Sequence, residues 1–236
     1  MRFVPPLIQA TLLRRYKRFL ADVRLSDGTE ITVHCPNTGS MKNCVVEDSP
    51  CYLWDSNNPK RKYRYSWELA TTYGGGLAGI NAARANHLVS EALEAGRIAE
   101  LDNYDTLQRE QKYGLENSRI DLLLSRAGEQ CFVEVKSVTL DMGGGQGMFP
   151  DAVSDRASKH VRELMEQKKQ GHRAVLLFCV QHSRIERVSP ADDIDPRYGE
   201  LLRQAAAIGV EVLAYSAEIT PEELTLKRPL PVLLGQ

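Results

Sequence analysis

The sequence predicts two domains, a small β-barrel followed by an α/β domain with a mixed sheet. Three observations carry this. Short strand-like runs punctuated by turns fill residues 7–71. From residue 81 on, helical and strand-like periodicities alternate. Between them lies Tyr73-Gly74-Gly75-Gly76, read as a hinge, which places the boundary near residue 80 and the domains at 1–80 and 81–236.

In the first part the strand-like runs are Leu7–Arg14, Phe19–Leu25, Glu30–His34, Tyr52–Asp55 and Arg64–Thr71. They are separated by Ser26-Asp27-Gly28, Pro36-Asn37-Thr38-Gly39 and Glu47-Asp48-Ser49-Pro50. Several short strands at this spacing suggest a barrel. In the second part, Asn81–Gly96 reads as a helix, with Ala85, Leu88, Val89, Ala92 and Leu93 at helical spacing and Gly96 as its stop. Two strands follow, Ser118–Ser125 and Gln130–Val138, joined at Ala127-Gly128. A glycine-rich stretch (Gly143 to Gly147), read as a mobile loop, leads to a helix over 155–170. The apolar run Ala174–Gln181 reads as a strand covered on both faces. A helix over 197–208 and a strand over 210–215 complete the core.

With 236 residues, 42% hydrophobic and 26% charged, the chain has an ordinary globular composition. No apolar run is long enough to span a membrane, and the first residues lack the apolar core of a signal peptide. Five scattered cysteines argue against a disulfide framework, so a cytoplasmic location is expected. The net charge of −1 hides an asymmetry. Residues 1–80 carry 11 Lys/Arg against 7 Asp/Glu, and the excess of carboxylates lies in the remainder. The first part can attract phosphates and the second can hold a cation.

The run Cys131-Phe132-Val133-Glu134-Val135-Lys136-Ser137-Val138 places an acid and a base on one face of an apolar strand, since residues i and i+2 point the same way. With Ala127-Gly128 as the turn, counting back along the hairpin sets Asp121 opposite Glu134. Cross-strand partners lie within about 4.5–5.5 Å at Cβ. Two facing carboxylates repel unless something neutralises them, and a divalent cation such as Mg²⁺ (or Mn²⁺) does this with one or two carboxylates. Glu91, at the edge of the helical stripe, is the candidate third acid, with Glu94 as its competitor. The alternative is a buried ion-pair network with no metal.

Basic residues interleaved with tyrosine mark a polyanion surface in Arg14-Arg15-Tyr16-Lys17-Arg18 and Lys60-Arg61-Lys62-Tyr63. Cations neutralise phosphates whatever the sequence, and aromatic rings offer stacking faces. Arg156, Lys159 and His160 recur at i, i+3 and i+4, so one helix face can carry all three.

A helix acid, an Asp on one strand and Glu-x-Lys on the next resembles the PD-(D/E)xK nuclease fold. The resemblance implies that Asp121, Glu134 and Glu91 hold the metal and that Lys136 assists the attacking water. It departs from the pattern in having Ile120, not proline, before Asp121. A broader resemblance runs through RYKRFLADV (15–23), HCPNTGSM (34–41), KRKYRYSWEL (60–69), KYGLENSRIDLLL (112–124), FVEVKSVTL (132–140) and FPDAVSDRASKHVREL (149–164). These segments resemble the sugar fermentation stimulation protein (SfsA) family. That resemblance implies an OB-like first domain, a nuclease-like second domain and sequence-independent DNA binding. It also implies a role in regulating sugar (maltose) metabolism genes. Two functions are therefore expected, a Mg²⁺-dependent nuclease or a non-catalytic DNA-binding regulator. RNA is a weaker alternative partner, and a homo-oligomer is compatible with the sequence.

Overall fold

A computed structural model describes residues 1–114 and 118–235. Residues 115–117, within the family-like segment 112–124, lie outside the described residues.

The first domain is built from β1 (Ile8–Tyr16), β2 (Leu20–Arg24), β3 (Glu30–His34), β4 (Pro50–Asp55), β5 (Tyr65–Thr71) and β6 (Leu77–Gly79). They pair in the order β3-β2-β1-β4-β5-β6, and a further β3–β5 pairing at His34 and Ser66 closes five of them into an OB-like barrel. Alternation along the strands sends Ala10, Leu12, Ala21, Val23, Val33, Leu53 and Trp67 inward, where all are buried. The glycines after Tyr73 form no interdomain hinge. Gly74 and Gly75, at φ of +85° and +81°, make the turn between β5 and β6 within the barrel sheet.

The second domain opens with α1 (Arg84–Glu94) and continues with β7 (Thr106–Tyr113), β8 (Ser118–Arg126) and β9 (Glu129–Val138). Next come β10 (Leu140–Asp141), β11 (Gln146–Phe149), α2 (Asp155–Lys169), β12 (Arg173–Val180), β13 (Arg187–Pro190), α3 (Pro196–Ala207), β14 (Glu211–Ile219) and β15 (Leu224–Pro229). The main sheet has the order β15-β14-β12-β9-β8-β7. Its centre is parallel, β9–β12–β14, and its flanks are antiparallel, so it is a mixed sheet. The central strand β12 is buried along almost its whole length because both faces are covered. Its α1 face packs Leu88, Val89 and Ala92 against Val133, Val135 and Leu177. The opposite face packs Val161 and Leu164 of α2 and Leu202 of α3 against Phe132, Leu176 and Phe178. A small sheet, β10-β11-β13, sits beside it. Gly143 to Gly145, expected as a mobile loop, form the turn of its β10–β11 hairpin.

Asp151 joins the two domains. Its carboxylate accepts from the Met41 N–H at 3.1 Å and the Ser40 hydroxyl at 3.2 Å, and it lies so close to Gly39 that any Cβ there would collide with it. Arg15 grips the same loop from the barrel side. Its guanidinium donates to the carbonyls of Arg18, Asn37, Gly39 and Ser40. Asn43 and Cys44 add contacts to the carbonyls of Asp141 and Thr139. All five cysteines are buried and free. Among the described residues, no helix is long and apolar enough to cross a membrane.

Candidate functional site

The β8–β9 hairpin turns at Ala127 and Gly128, both at positive φ, as the two-residue turn requires. Its register is the one counted from the sequence, from Arg126 opposite Glu129 to Leu122 opposite Val133. The ladder then stops. Asp121 also drops out of the β7–β8 ladder, which passes from Arg109–Leu122 to Gln111–Ile120. In place of a main-chain carbonyl, the Asp121 carboxylate accepts the Val135 N–H at 2.8 Å. The strands thus part at the point where Asp121 and Glu134 come side by side.

Glu134 is buried, and one of its oxygens, Oε1, accepts from Lys136 Nζ at 2.7 Å and contacts His160 Nδ1 of α2. Lys136 Nζ lies 3.2 Å from the same His160 nitrogen. The second oxygen, Oε2, is buried with no partner. A buried unpaired acceptor costs free energy, and here it belongs to a charged group. Burial alone would raise the Glu134 carboxyl, but the adjacent Lys136 ammonium and His160 outweigh it and hold it below its ordinary value. Asp121 goes the other way. Burial and the negative charge of Glu134 push it up to about 6, against the Val135 N–H, Lys136 and Asn86. The pair behaves as two carboxylates that resist simultaneous ionisation.

Of the four expected site residues, the structure brings together Asp121, Glu134 and Lys136, and it places Glu91 elsewhere. Glu91 accepts from the Met1 ammonium at 2.9 Å and stands 3.9 Å from Arg97. The α1 residue that reaches Asp121 is Asn86, whose Nδ2 donates to Oδ1 at 2.7 Å. Asn86 and Glu91 flank the apolar stripe of α1 on opposite sides, and α1 docks with the Asn86 flank towards β8. Among the described residues, no cluster of three or more His, Cys, Asp and Glu side chains is placed to hold a metal ion. The site therefore offers two carboxylates rather than three. It still fits a hard divalent cation, because the orphaned Glu134 Oε2 is a ready oxygen ligand and Asp121 lies within electrostatic reach of Glu134.

Several nearby residues carry no clear functional signal in the sequence. Helical spacing groups His160 with Arg156 and Lys159 on one cationic face. The helix turns His160 inward, leaving Arg156 exposed and Lys159 half-buried. The available signal was polar residues at core spacing, since His160, Glu163 and Gln167 share the buried stripe of Ala157, Val161 and Leu164. Tyr113 has a buried, unpartnered hydroxyl, raised by burial and by the charges of Glu134, Glu163 and Asp121. Glu163 packs against Gly114, where no side chain fits.

The basic residues of the barrel divide by role. Arg14 pairs with Asp22 at 2.8 Å, and Arg15 is spent on the four carbonyls named above. Lys17 and Arg18 stand exposed at the β1–β2 tip. Lys60 and Lys62 are exposed in the loop between β4 and β5, whereas Arg61 is half-buried and donates to Ser66.

Comparison with known proteins follows this architecture. Residues 13–80 match the family model described as the SfsA N-terminal OB domain. Residues 83–223 match the one described as the sugar fermentation stimulation protein RE domain. A sugar fermentation stimulation protein homolog from Teredinibacter turnerae is 67% identical over 234 residues, covering 99% of this chain and 100% of the relative. A homolog from Saccharophagus degradans is 63% identical over 233 residues, with coverage of 99% and 100%. Among solved structures, Pyrococcus furiosus SfsA in complex with Ca²⁺ matches with a TM-score of 0.85 and 28% identity, covering 98% of this chain and 99% of that one. The chain belongs to the sugar fermentation stimulation protein family.

Proposed function

We propose that this protein binds DNA without sequence preference and hydrolyses its phosphodiester bonds with a divalent cation, Mg²⁺ or Mn²⁺, held by Asp121 and Glu134. The observation that carries this reading is the parted hairpin end. It sets two carboxylates from adjacent strands side by side, one of them with a buried, unpartnered oxygen, and adds a lysine ammonium. This arrangement follows the PD-(D/E)xK pattern. The Ca²⁺ complex of the Pyrococcus furiosus relative supports a cation of the oxygen-preferring class.

When bound, the cation supplies Lewis-acid stabilisation of the charge that develops on the phosphoryl oxygens. The protein's own residues do the rest. Asn86 and the Val135 N–H fix the Asp121 carboxylate. His160 and Lys136 fix Glu134. Lys136 Nζ, shared between Glu134 and His160, is held where it can orient a water or offset phosphate charge. Lys17, Arg18, Lys60 and Lys62 are exposed cations suited to the DNA backbone.

A second reading, a DNA-binding regulator that performs no chemistry, is favoured by one detail. Glu134 Oε1 engages both Lys136 and His160, so the lysine has a partner before any substrate arrives. Supercoiled plasmid incubated with the protein and Mg²⁺ or Mn²⁺, beside Lys136→Ala and a chelator control, separates the two. The nuclease reading expects metal-dependent nicking that the variant lacks. Intact plasmid, with tight binding by both proteins, would sink it in favour of the regulator.

A further inference from the structure

We infer that the cleft between the barrel and the α/β domain seats one unpaired nucleotide, so that the preferred nucleic acid is single-stranded DNA or a duplex with an unpaired end. This rests on the proposal that the protein binds DNA, and it adds the form of the DNA.

The cleft has a volume of about 500 Å³ and lies between the β3–β4 loop and the segment joining β11 to α2. That is the size of a small-molecule site, which spans roughly 300–1,000 Å³. A duplex keeps its bases paired and stacked, so it cannot place one in a cleft of this size. Its lining suits a base and a sugar, and its one carboxylate, Asp151, is spent on Ser40 and Met41. Pro36, Phe149 and Val153 offer apolar surface, and Thr38, Ser137 and Thr139 offer hydroxyls. The Ser137 hydroxyl oxygen accepts from Gln181 Nε2 at 2.9 Å, which leaves its proton to be donated elsewhere. Ser137 follows Lys136 on β9, so the cleft adjoins the strand that carries the proposed cutting site.

The rim continues the pattern. Val153, a lining residue, is 72% exposed, and Phe19 is 45% exposed. Single exposed apolar residues are ordinary on a surface, but Val153 lines the cleft itself, and Phe19 stands on the turn bonded to that lining. Phe19 is tied to it because its carbonyl accepts the Cys35 N–H at 2.8 Å, and Cys35 is part of the lining. Phe19 also follows the exposed cations Lys17 and Arg18. An aromatic ring beside cations next to a nucleotide-sized cleft is how proteins hold unpaired strands, with bases stacked and phosphates neutralised. Bases reach such a pocket only when they are out of the duplex stack.

Fluorescence anisotropy with a single-stranded DNA oligonucleotide, a blunt duplex of the same sequence and the matching single-stranded RNA tests this. The wild type should bind single-stranded DNA at least about tenfold tighter than the duplex, the scale of one stacked base. Ala152→Trp, which fills the cleft, should abolish that preference with little change in duplex affinity. Phe19→Ala should weaken single-strand binding several-fold. Because Phe19 is half-exposed, this second variant reports even if Ala152→Trp fails to fold. Equal affinity of the wild type for single strand and duplex, or an unchanged ratio in a folded Ala152→Trp protein, would overturn the inference. RNA bound tenfold tighter than DNA would overturn its DNA assignment. Plasmid nicking without any single-strand preference would leave the proposed nuclease standing and remove only this inference. A single-strand preference without nicking would do the reverse.

Discussion

Asp121 accepts the backbone N–H of Val135 at 2.8 Å, a bond that a continued β8–β9 ladder would give to a main-chain carbonyl. One side chain thus ends the pairing, satisfies the freed donor and brings its charge beside Glu134. The parted hairpin is created by the same residue that the proposed chemistry uses.

That position has a consequence for stability. The Asp121 carboxyl is raised from its ordinary 3.8 to about 6 by burial and Glu134. For a raised group, the protonated form stabilises the fold fully below the unfolded value and the benefit is lost as pH rises through the folded value. Above pH 6 the cost is therefore about 3 kcal/mol. Asp121→Asn keeps an acceptor for Val135 and removes the charge. In urea denaturation with chelator, the variant should gain on the wild type by about 2–3 kcal/mol between pH 4 and pH 7.5. Adding a divalent cation at pH 7.5 should stabilise the wild type and not the variant.

His160 holds Glu134 and Lys136 from α2 without standing on either strand. His160→Ala leaves a buried carboxylate short of a partner and should cost roughly 1–3 kcal/mol. If it acts by positioning, plasmid cleavage should fall about 10–100-fold. His160→Gln, which can still hydrogen-bond Glu134, should recover part of the rate. A purely structural role would lower the melting temperature and leave the rate of the folded protein unchanged.

Glu91 resembles a third ligand in the sequence but sits against Met1 and Arg97. Glu91→Ala should keep metal-dependent cleavage within about twofold of wild type. Asn86→Ala, which frees the Asp121 oxygen, should reduce cleavage by about tenfold. The reverse ranking in a plasmid assay would restore Glu91 to the site.

The basic run at 14–18 divides into structure and surface. Arg15→Ala removes the donor shared by four loop carbonyls and should cost about 2–3 kcal/mol in chemical denaturation. Lys17→Ala and Arg18→Ala should change stability by no more than about 0.5 kcal/mol. Each should weaken DNA binding and reduce the slope of log affinity against log salt by about 1. Salt-insensitive binding of the wild type would contradict a phosphate grip.

Local pattern made much of this architecture legible. Ala127-Gly128 specifies a two-residue turn, and a turn fixes the register of everything before and after it. Five of the six barrel strands and the apolar run of β12 are equally plain, but the order in which the barrel strands pair is not. The strands β7 and β15 are not legible in the sequence, for a shared reason. Both are flanking strands of the main sheet, with several exposed residues, and they lack the hydrophobic signal of the centre. The three-stranded β10-β11-β13 sheet was missed because its strands are only two to four residues long.

That Asp121, Glu134 and Lys136 meet follows from local pattern, because all three lie on one hairpin and a strand repeats every two residues. Which helix residues join them depends on packing between distant segments. A helix shows its apolar stripe in sequence but not which flank of the stripe faces the sheet. That flank follows from how the helix docks, and docking sums contacts from distant parts of the chain. It turned Asn86 towards Asp121, sent Glu91 to the amino terminus and carried His160 into the site.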